Sequence, residues 1–253
     1  MKDFTQTINI TTGILPMDTN PSGDITLSIE YTESYSYIVD IKNELSKSTG
    51  AIIMKENDCI SGSEIDKKCK VYFSTQEGLK FAFICTCDRK HCCCCTSLRI
   101  ILRHLTSPEE DPDVAKIYLE LDKSYSLNCC LCKSDMKVKL FENNNIIGKI
   151  KERCKIYSKK IDIIDENNVE YNIIEDSHKS GDNQQYNKYE EYKFKIKRKN
   201  EIVGYIKKTS NHFSQNFPNS DDKIKITFPP KALPEEKLLI ICGCLFLNYQ
   251  LYS

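Results

Sequence analysis

From about Ile25 onward, apolar and polar positions follow a period of two. Val71 and Phe73, then Phe81 and Phe83, flank a turn at Gln76-Glu77-Gly78. Met136, Val138 and Leu140 alternate with Lys137 and Lys139 until Asn143-Asn144-Asn145 breaks the run. Tyr192, Phe194 and Ile196 alternate with Lys193 and Lys195 until Arg198-Lys199-Asn200 breaks it. Alternation bounded by Asn/Gly-rich turns predicts half-buried strands joined in hairpins. Lysines on the polar faces discourage edge-to-edge association. Residues 1–24, with Pro16, Pro21 and Gly23, read as an irregular lead-in, leaving 25–253 as one domain.

Two of these hairpins match without a gap, Met136–Glu152 over Tyr192–Lys208. Lys137/Lys193, Lys139/Lys195, Asn144/Asn200, Ile146/Ile202, Gly148/Gly204, Ile150/Ile206 and Lys151/Lys207 are identical. The shared glycine falls at the same place in each second strand. Repeated hairpins predict a closed or nearly closed antiparallel sheet built from like units. Between them, 175–191 has no apolar period and reads as a surface loop.

The C-terminus changes character. Leu238-Leu239-Ile240-Ile241-Cys242-Gly243-Cys244-Leu245-Phe246-Leu247 is apolar or small throughout, after a helix start at Pro234-Glu235-Glu236. A helix apolar all round must be buried in protein or in lipid. Crossing a bilayer takes about 20 residues; this run is shorter, and Asn248 and Gln250 come directly after it. The expectation is a core helix over 235–252, threaded through a β-barrel.

Composition narrows the function. Lys+Arg and Asp+Glu are both 36, and this zero net charge argues against a whole-chain nucleic-acid binder. With 28% charged residues the chain is no polytopic membrane protein. No apolar signal succeeds Met1-Lys2-Asp3-Phe4, so the 14 cysteines are expected in a reducing compartment, without a disulfide framework. Lys2 stands where N-myristoylation needs glycine.

The cysteines cluster. Cys85, Cys87 and His91 lead into Cys92-Cys93-Cys94-Cys95, read as lying between two strands; Cys129-Cys130-Leu131-Cys132 precedes the strand starting at Met136. Loop thiols beside Arg89, Lys90 and Lys133 suit S-acylation, because the basic residues hold the loop at anionic lipid. The competing reading is zinc on Cys85, Cys87, His91 and Cys92–Cys95. Cys59, Cys69, Cys154, Cys242 and Cys244 read as small buried hydrophobes. His91, His104, His178 and His212 show no triad spacing, and no hydrolase or nucleotide-binding motif occurs, so no covalent chemistry is expected. The acidic pair Asp221-Asp222 reads as turn chemistry or a cation site.

In order, these segments resemble the phospholipid scramblases, from about residue 36 to 253. Cys87-Asp-Arg-Lys-His-Cys-Cys-Cys-Cys-Thr-Ser-Leu-Arg-Ile100 looks like that family's cysteine loop and the strand after it. Asn128–Cys132 sits where the family has its acylation motif. Ile224-Lys-Ile-Thr-Phe-Pro229, with the run from Lys237 to Leu247, looks like its C-terminal ending. The resemblance implies a tubby-like fold: a closed antiparallel barrel of about twelve strands around the C-terminal helix. It implies ATP-independent, calcium-stimulated movement of phospholipids between leaflets, with membrane phospholipids as partners and no nucleic acid. It implies acylation at Cys129, Cys130 and Cys132, helped by Cys92–Cys95, and a place at the cytoplasmic face of the plasma membrane or another membrane; without acylation the protein would be cytosolic. The family's calcium positions fall on Ser220, Asp222 and Lys231, with Asp221 as a partial substitute; a lysine at the last of them opposes calcium. The alternative is a non-transporting lipid-binding or interaction module of the same fold, supported by lysine faces such as Lys137, Lys139, Lys149 and Lys151.

Overall fold

Strands that alternate in and out must bury one face, and here they do so by closing on themselves. The computed structural model describes residues 30–55, 68–92, 95–105, 111, 115–127, 135–142, 144–153, 160–176, 189–211 and 223–251. A helix, α1 (Glu30–Lys47), precedes β1 (Gly50–Lys55), β2 (Cys69–Thr75), β3 (Gly78–Cys92), β4 (Cys95–His104), β5 (Lys116–Leu127) and β6 (Asp135–Leu140). Then come β7 (Ile146–Arg153), β8 (Lys160–Asp165), β9 (Glu170–Glu175), β10 (Tyr189–Arg198), β11 (Glu201–Asn211), β12 (Lys223–Thr227) and α2 (Pro234–Leu251). Each strand pairs antiparallel with its neighbours in sequence, and β1 pairs with β12 to close the barrel. The expected architecture of about twelve strands and a C-terminal helix is therefore the observed one.

The helix α2 fills the barrel. Every residue from Lys237 to Tyr249 is buried, on all sides of the helix. Inward positions of the strands, such as Phe73, Leu121, Val138, Ile163 and Ile226, form one apolar cluster with Leu239, Ile240, Leu245 and Phe246. Close approach depends on glycine. A Cβ on Gly243 would stand 2.8 Å from Ile163 Cδ1 and 3.2 Å from Ile173 Cδ1. A Cβ on Gly148 would stand 2.7 Å from the Ile164 carbonyl oxygen and 2.8 Å from Leu239 Cδ1. The helix start is set locally: Pro234 is the first helical residue, and the Leu233 N–H donates to Glu236 Oε2 at 2.7 Å, half of a capping box.

The two matching hairpins are β6–β7 and β10–β11. Gly148 pairs with Val138 and Gly204 with Ile196. In each hairpin the residue before the glycine, Ile147 or Val203, is an unpaired bulge. The equivalence of the two sequences thus extends to an irregularity of backbone.

Two expectations need correction. The period of two does not hold over 30–47, which is α1. Strand-favouring residues such as Tyr35, Tyr37, Ile38 and Val39 mask a helical face on which Ile41 and Leu45, one turn apart, are buried. Of residues 175–191, read as loop, Glu175 ends β9 and 189–191 belong to β10. The lead-in 1–24 and residues 177–188 lie outside the described residues.

Leu239 is 1% exposed inside the barrel, so Leu239→Asp would bury an unpaired charge at a cost of several kcal/mol. The expected outcome is loss of the cooperative thermal transition for the whole domain, read by circular dichroism. A chain ending at residue 233 should lose it too, for want of anything to fill the lumen.

Candidate functional site

The strands differ in length, and the excess lies in one place. At one rim the chain turns at 76–77, 166–167 and 199–200, and α1 lies against this rim through the Lys42–Glu235 and Lys80–Glu44 ion pairs. At the opposite rim, β2 begins at Cys69, paired with Cys85. Beyond that pair β3 runs on to Cys92, about 20 Å further at the usual rise per residue. β4 and β5 accompany it: Cys92 pairs with Cys95, and Cys95 with Leu127. The result is a three-stranded ribbon projecting beyond β2. Its hairpin tip is Cys92–Cys95, and its third strand ends immediately before residue 128.

This places the predicted acylation residues. The backbones of Cys92 and Cys95 end β3 and begin β4, at the ribbon tip. Cys93, Cys94, Cys129, Cys130 and Cys132 lie outside the described residues; the described residues before them, Cys92 and Leu127, both end strands of this ribbon. Two separate sequence clusters therefore adjoin, in sequence, strand ends of one projection. Cysteine spacing alone does not show this, because strand length depends on pairing with distant segments.

The sequence groups Cys85 and Cys87 with the same loop as candidate zinc ligands. The structure corrects this: both are in β3 and face the barrel interior, buried. Cys85 Sγ lies 3.6 Å from Tyr249 Oη, and Asn248 donates to Cys69 Sγ at 3.8 Å. Burial pushes the Cys85, Cys242 and Cys244 thiols well up, which favours their protonated form in the apolar core. Cys69, Cys242 and Cys244 are buried core residues, as read from sequence. Among the described residues no group of three or more His, Cys, Asp or Glu could hold a metal ion.

Ser220, Asp221 and Asp222 lie outside the described residues. Directly after them the chain is strand, not loop: 223–227 is β12, with Ile224 and Ile226 buried and paired to β1 and β11. Lys231, in the last of the family's calcium positions, stands beyond the other end of that strand.

The lumen offers no polar conduit among the described residues, because α2 occupies it. Polar groups collect instead at the helix rim. Lys237, 5% exposed, donates from Nζ to the carbonyls of Leu45 (2.7 Å), Ser48 (2.9 Å) and Ser46 (3.1 Å), the last turn of α1 and its exit. The Leu45 carbonyl also accepts from the Ser48 N–H at 3.2 Å and from Ser48 Oγ at 2.8 Å, and a cation is favoured at that end of the dipole. Burial lowers the Lys237 pKa. Beside it, Arg198 donates to Tyr171 Oη at 3.3 Å and lies 3.8 Å from Glu236.

The lysine faces named from sequence are largely balanced. Lys139 pairs across with Glu120 and Lys137 with Asp122, and Lys151 lies 3.3 Å from Asp135. Nearby, the buried carboxylate of Asp162 contacts Arg153 and accepts from Asn172 at 2.8 Å.

Compared with known protein families, residues 111–253 match the family described as Scramblase, more than half of the chain. The chain belongs to the scramblase family. No curated protein and no solved structure matches it. The scramblase match takes in β5 to β12 and α2, while α1 and β1 to β4 complete the same barrel outside it. Family membership makes the function scramblase-like in kind and implies lipid substrates at a membrane. No helix among the described residues is long and apolar enough to cross one.

The rim network carries a pH signature. Burial, and then the Glu236 carboxylate, pushes the Tyr171 pKa up to about 12. An unfolded tyrosine ionises near about 10. Between these values the unfolded chain sheds the phenolic proton while the folded chain keeps it. Stability present below about pH 10 is therefore lost as the pH rises toward about 12. Tyr171→Phe should flatten that part of the alkaline profile, measured as denaturant midpoints on either side of about pH 10.

Proposed function

We propose that this scramblase-family protein works from the surface of a membrane, at the cytoplasmic face of the plasma membrane or another bilayer. In this reading acyl thioesters on Cys129, Cys130 and Cys132, and on Cys92–Cys95, hold it there. The activity is ATP-independent movement of phospholipids between leaflets, without covalent chemistry. The observation that supports the attachment is the ribbon: the described strand ends next in sequence to the two cysteine clusters, Cys92, Cys95 and Leu127, pair with one another at its end. A single acyl chain gives marginal binding, so two clusters on one projection are what stable anchoring requires. Calcium stimulation rests on Ser220, Asp221 and Asp222, since Lys231 is separated from them by β12.

A second reading has its own support. A scramblase must give a polar headgroup a path through hydrocarbon, and the barrel is filled by α2. This favours a membrane-attached, lipid-binding or interaction module that does not itself transport.

Replacing all seven cysteines by alanine should move the protein from the membrane to the soluble fraction of a eukaryotic cell and abolish labelling by an alkyne fatty acid. Unchanged fractionation, or stoichiometric zinc on the purified protein, would favour metal over acylation. Reconstitution into vesicles with a fluorescent lipid and dithionite separates the two functional readings. Accelerated quenching of inner-leaflet lipid, greater with calcium, is the expected result for transport; quenching equal to empty vesicles with and without calcium assigns the non-transporting role.

A further inference from the structure

The two matching hairpins carry similar lysines but have different neighbours. Around β6–β7, the adjoining strands supply Glu120, Asp122 and Asp162, and β6 itself supplies Asp135. Around β10–β11, the adjoining β12 supplies more lysine. Lys193 pairs directly with Lys207, and Lys207 with Lys225, giving three lysines side by side across three strands. Lys195 and Lys197 share their face of β10, opposite the buried Phe194 and Ile196; Lys223 shares that of β12, opposite Ile224 and Ile226. Three carboxylates stand beside these six lysines. Asp176 at the end of β9 reaches Lys195 at 2.8 Å, Glu191 precedes Lys193 by two residues, and Glu201 sits at the turn.

Like charges directly opposed across strands destabilise a sheet. Lys137 also opposes Lys149, but there the next strand places Asp122 beside the pair, whereas β12 places Lys225 beside Lys193 and Lys207. Tyr205 projects from the middle of this wall, paired with Lys195 and Thr227 and 55% exposed. A tyrosine with an apolar body and polar tip, ringed by lysines, suits the headgroup layer of a bilayer.

We infer that the outer wall of β10–β12 is an electrostatic docking face for an anionic lipid surface. It deepens the reading that the protein works at a membrane, and it is independent of acylation. Nucleic acid fits less well, because the wall offers one exposed ring where single-strand binders stack successive bases.

The test uses the full chain made in bacteria, so that no acyl group is present. It is floated with vesicles of phosphatidylcholine, with and without phosphatidylserine. Binding should need phosphatidylserine and weaken with salt. The triple variant Lys193→Gln, Lys207→Gln, Lys225→Gln should lose binding by roughly 100-fold, since each lysine near such a surface contributes about fivefold. The matched variant Lys137→Gln, Lys149→Gln, Lys151→Gln should change it little, with both variants melting like the parent. Equal losses in the two variants would show that net charge alone matters and overturn the proposal. So would no binding to phosphatidylserine vesicles, or retained binding in the first variant. Tighter binding to single-stranded RNA, lost in the first variant, would reassign the wall and overturn it as well. None of these outcomes touches the cysteine anchor, which is read separately by labelling in cells.

Discussion

The barrel exists because α2 is inside it. A closed sheet of this many strands has a lumen too wide for its own side chains to fill. Here the missing volume is a helix apolar on every side. Burial of that helix stabilises both partners at once: the strands gain a core, and the helix is kept from water. Its placement is then refined by small residues. Gly243 lets α2 approach β8 and β9, and Gly148 lets β7 approach α2. Its polar end, through Lys237, in turn seats α1 by holding the carbonyls at that helix's end. The order of dependence runs from barrel to α2 to α1, and none of these contacts is local in sequence.

Filling the lumen also decides where function can reside. Membrane proteins that move polar material through a barrel keep the interior open and polar; this interior is occupied and apolar. Contact with lipid therefore falls to the outside of the molecule. Two outer features differ from ordinary solvated surface, the β3–β5 ribbon and the β10–β12 wall. Cys95 on β4 and Lys207 on β11 are separated around the barrel by several strands on either path. Both nevertheless lie toward the rim where α2 ends, since Lys207 precedes the end of β11 as Cys92 ends β3.

Much of the fold was legible in the sequence, for physical reasons. Strands with one buried face must alternate, and Met136 to Leu140 or Tyr192 to Ile196 do so without exception. The run Leu238–Leu247 could be nothing but buried. α1 was not legible, because its described buried positions, Ile41 and Leu45, stand after residues that favour strands, and the rim with Lys237 that receives them is distant in sequence. The site was legible as composition and not as geometry. The cysteine groups stood out, but Cys85 and Cys87 looked continuous with them. Only strand pairing divides them: Cys85 and Cys87 lie opposite Leu102 and Ile100 in the core, whereas Cys92 pairs with Cys95 at the end of the ribbon.

The repeated hairpin makes the same point about charge. Lys137 and Lys193 occupy equivalent places, as do Lys151 and Lys207, and each hairpin carries the same bulge before its glycine. Read alone, the two should present the same surface. In the barrel they do not, because a strand's outer face takes its electrostatic character from the strands on either side. Asp122 stands beside Lys137, and Lys225 beside Lys207. A repeated unit can thus keep its bulge and several of its lysines while one copy becomes neutral wall and the other a basic one. Most of the difference is carried by β5, β8 and β12, which lie outside the repeat.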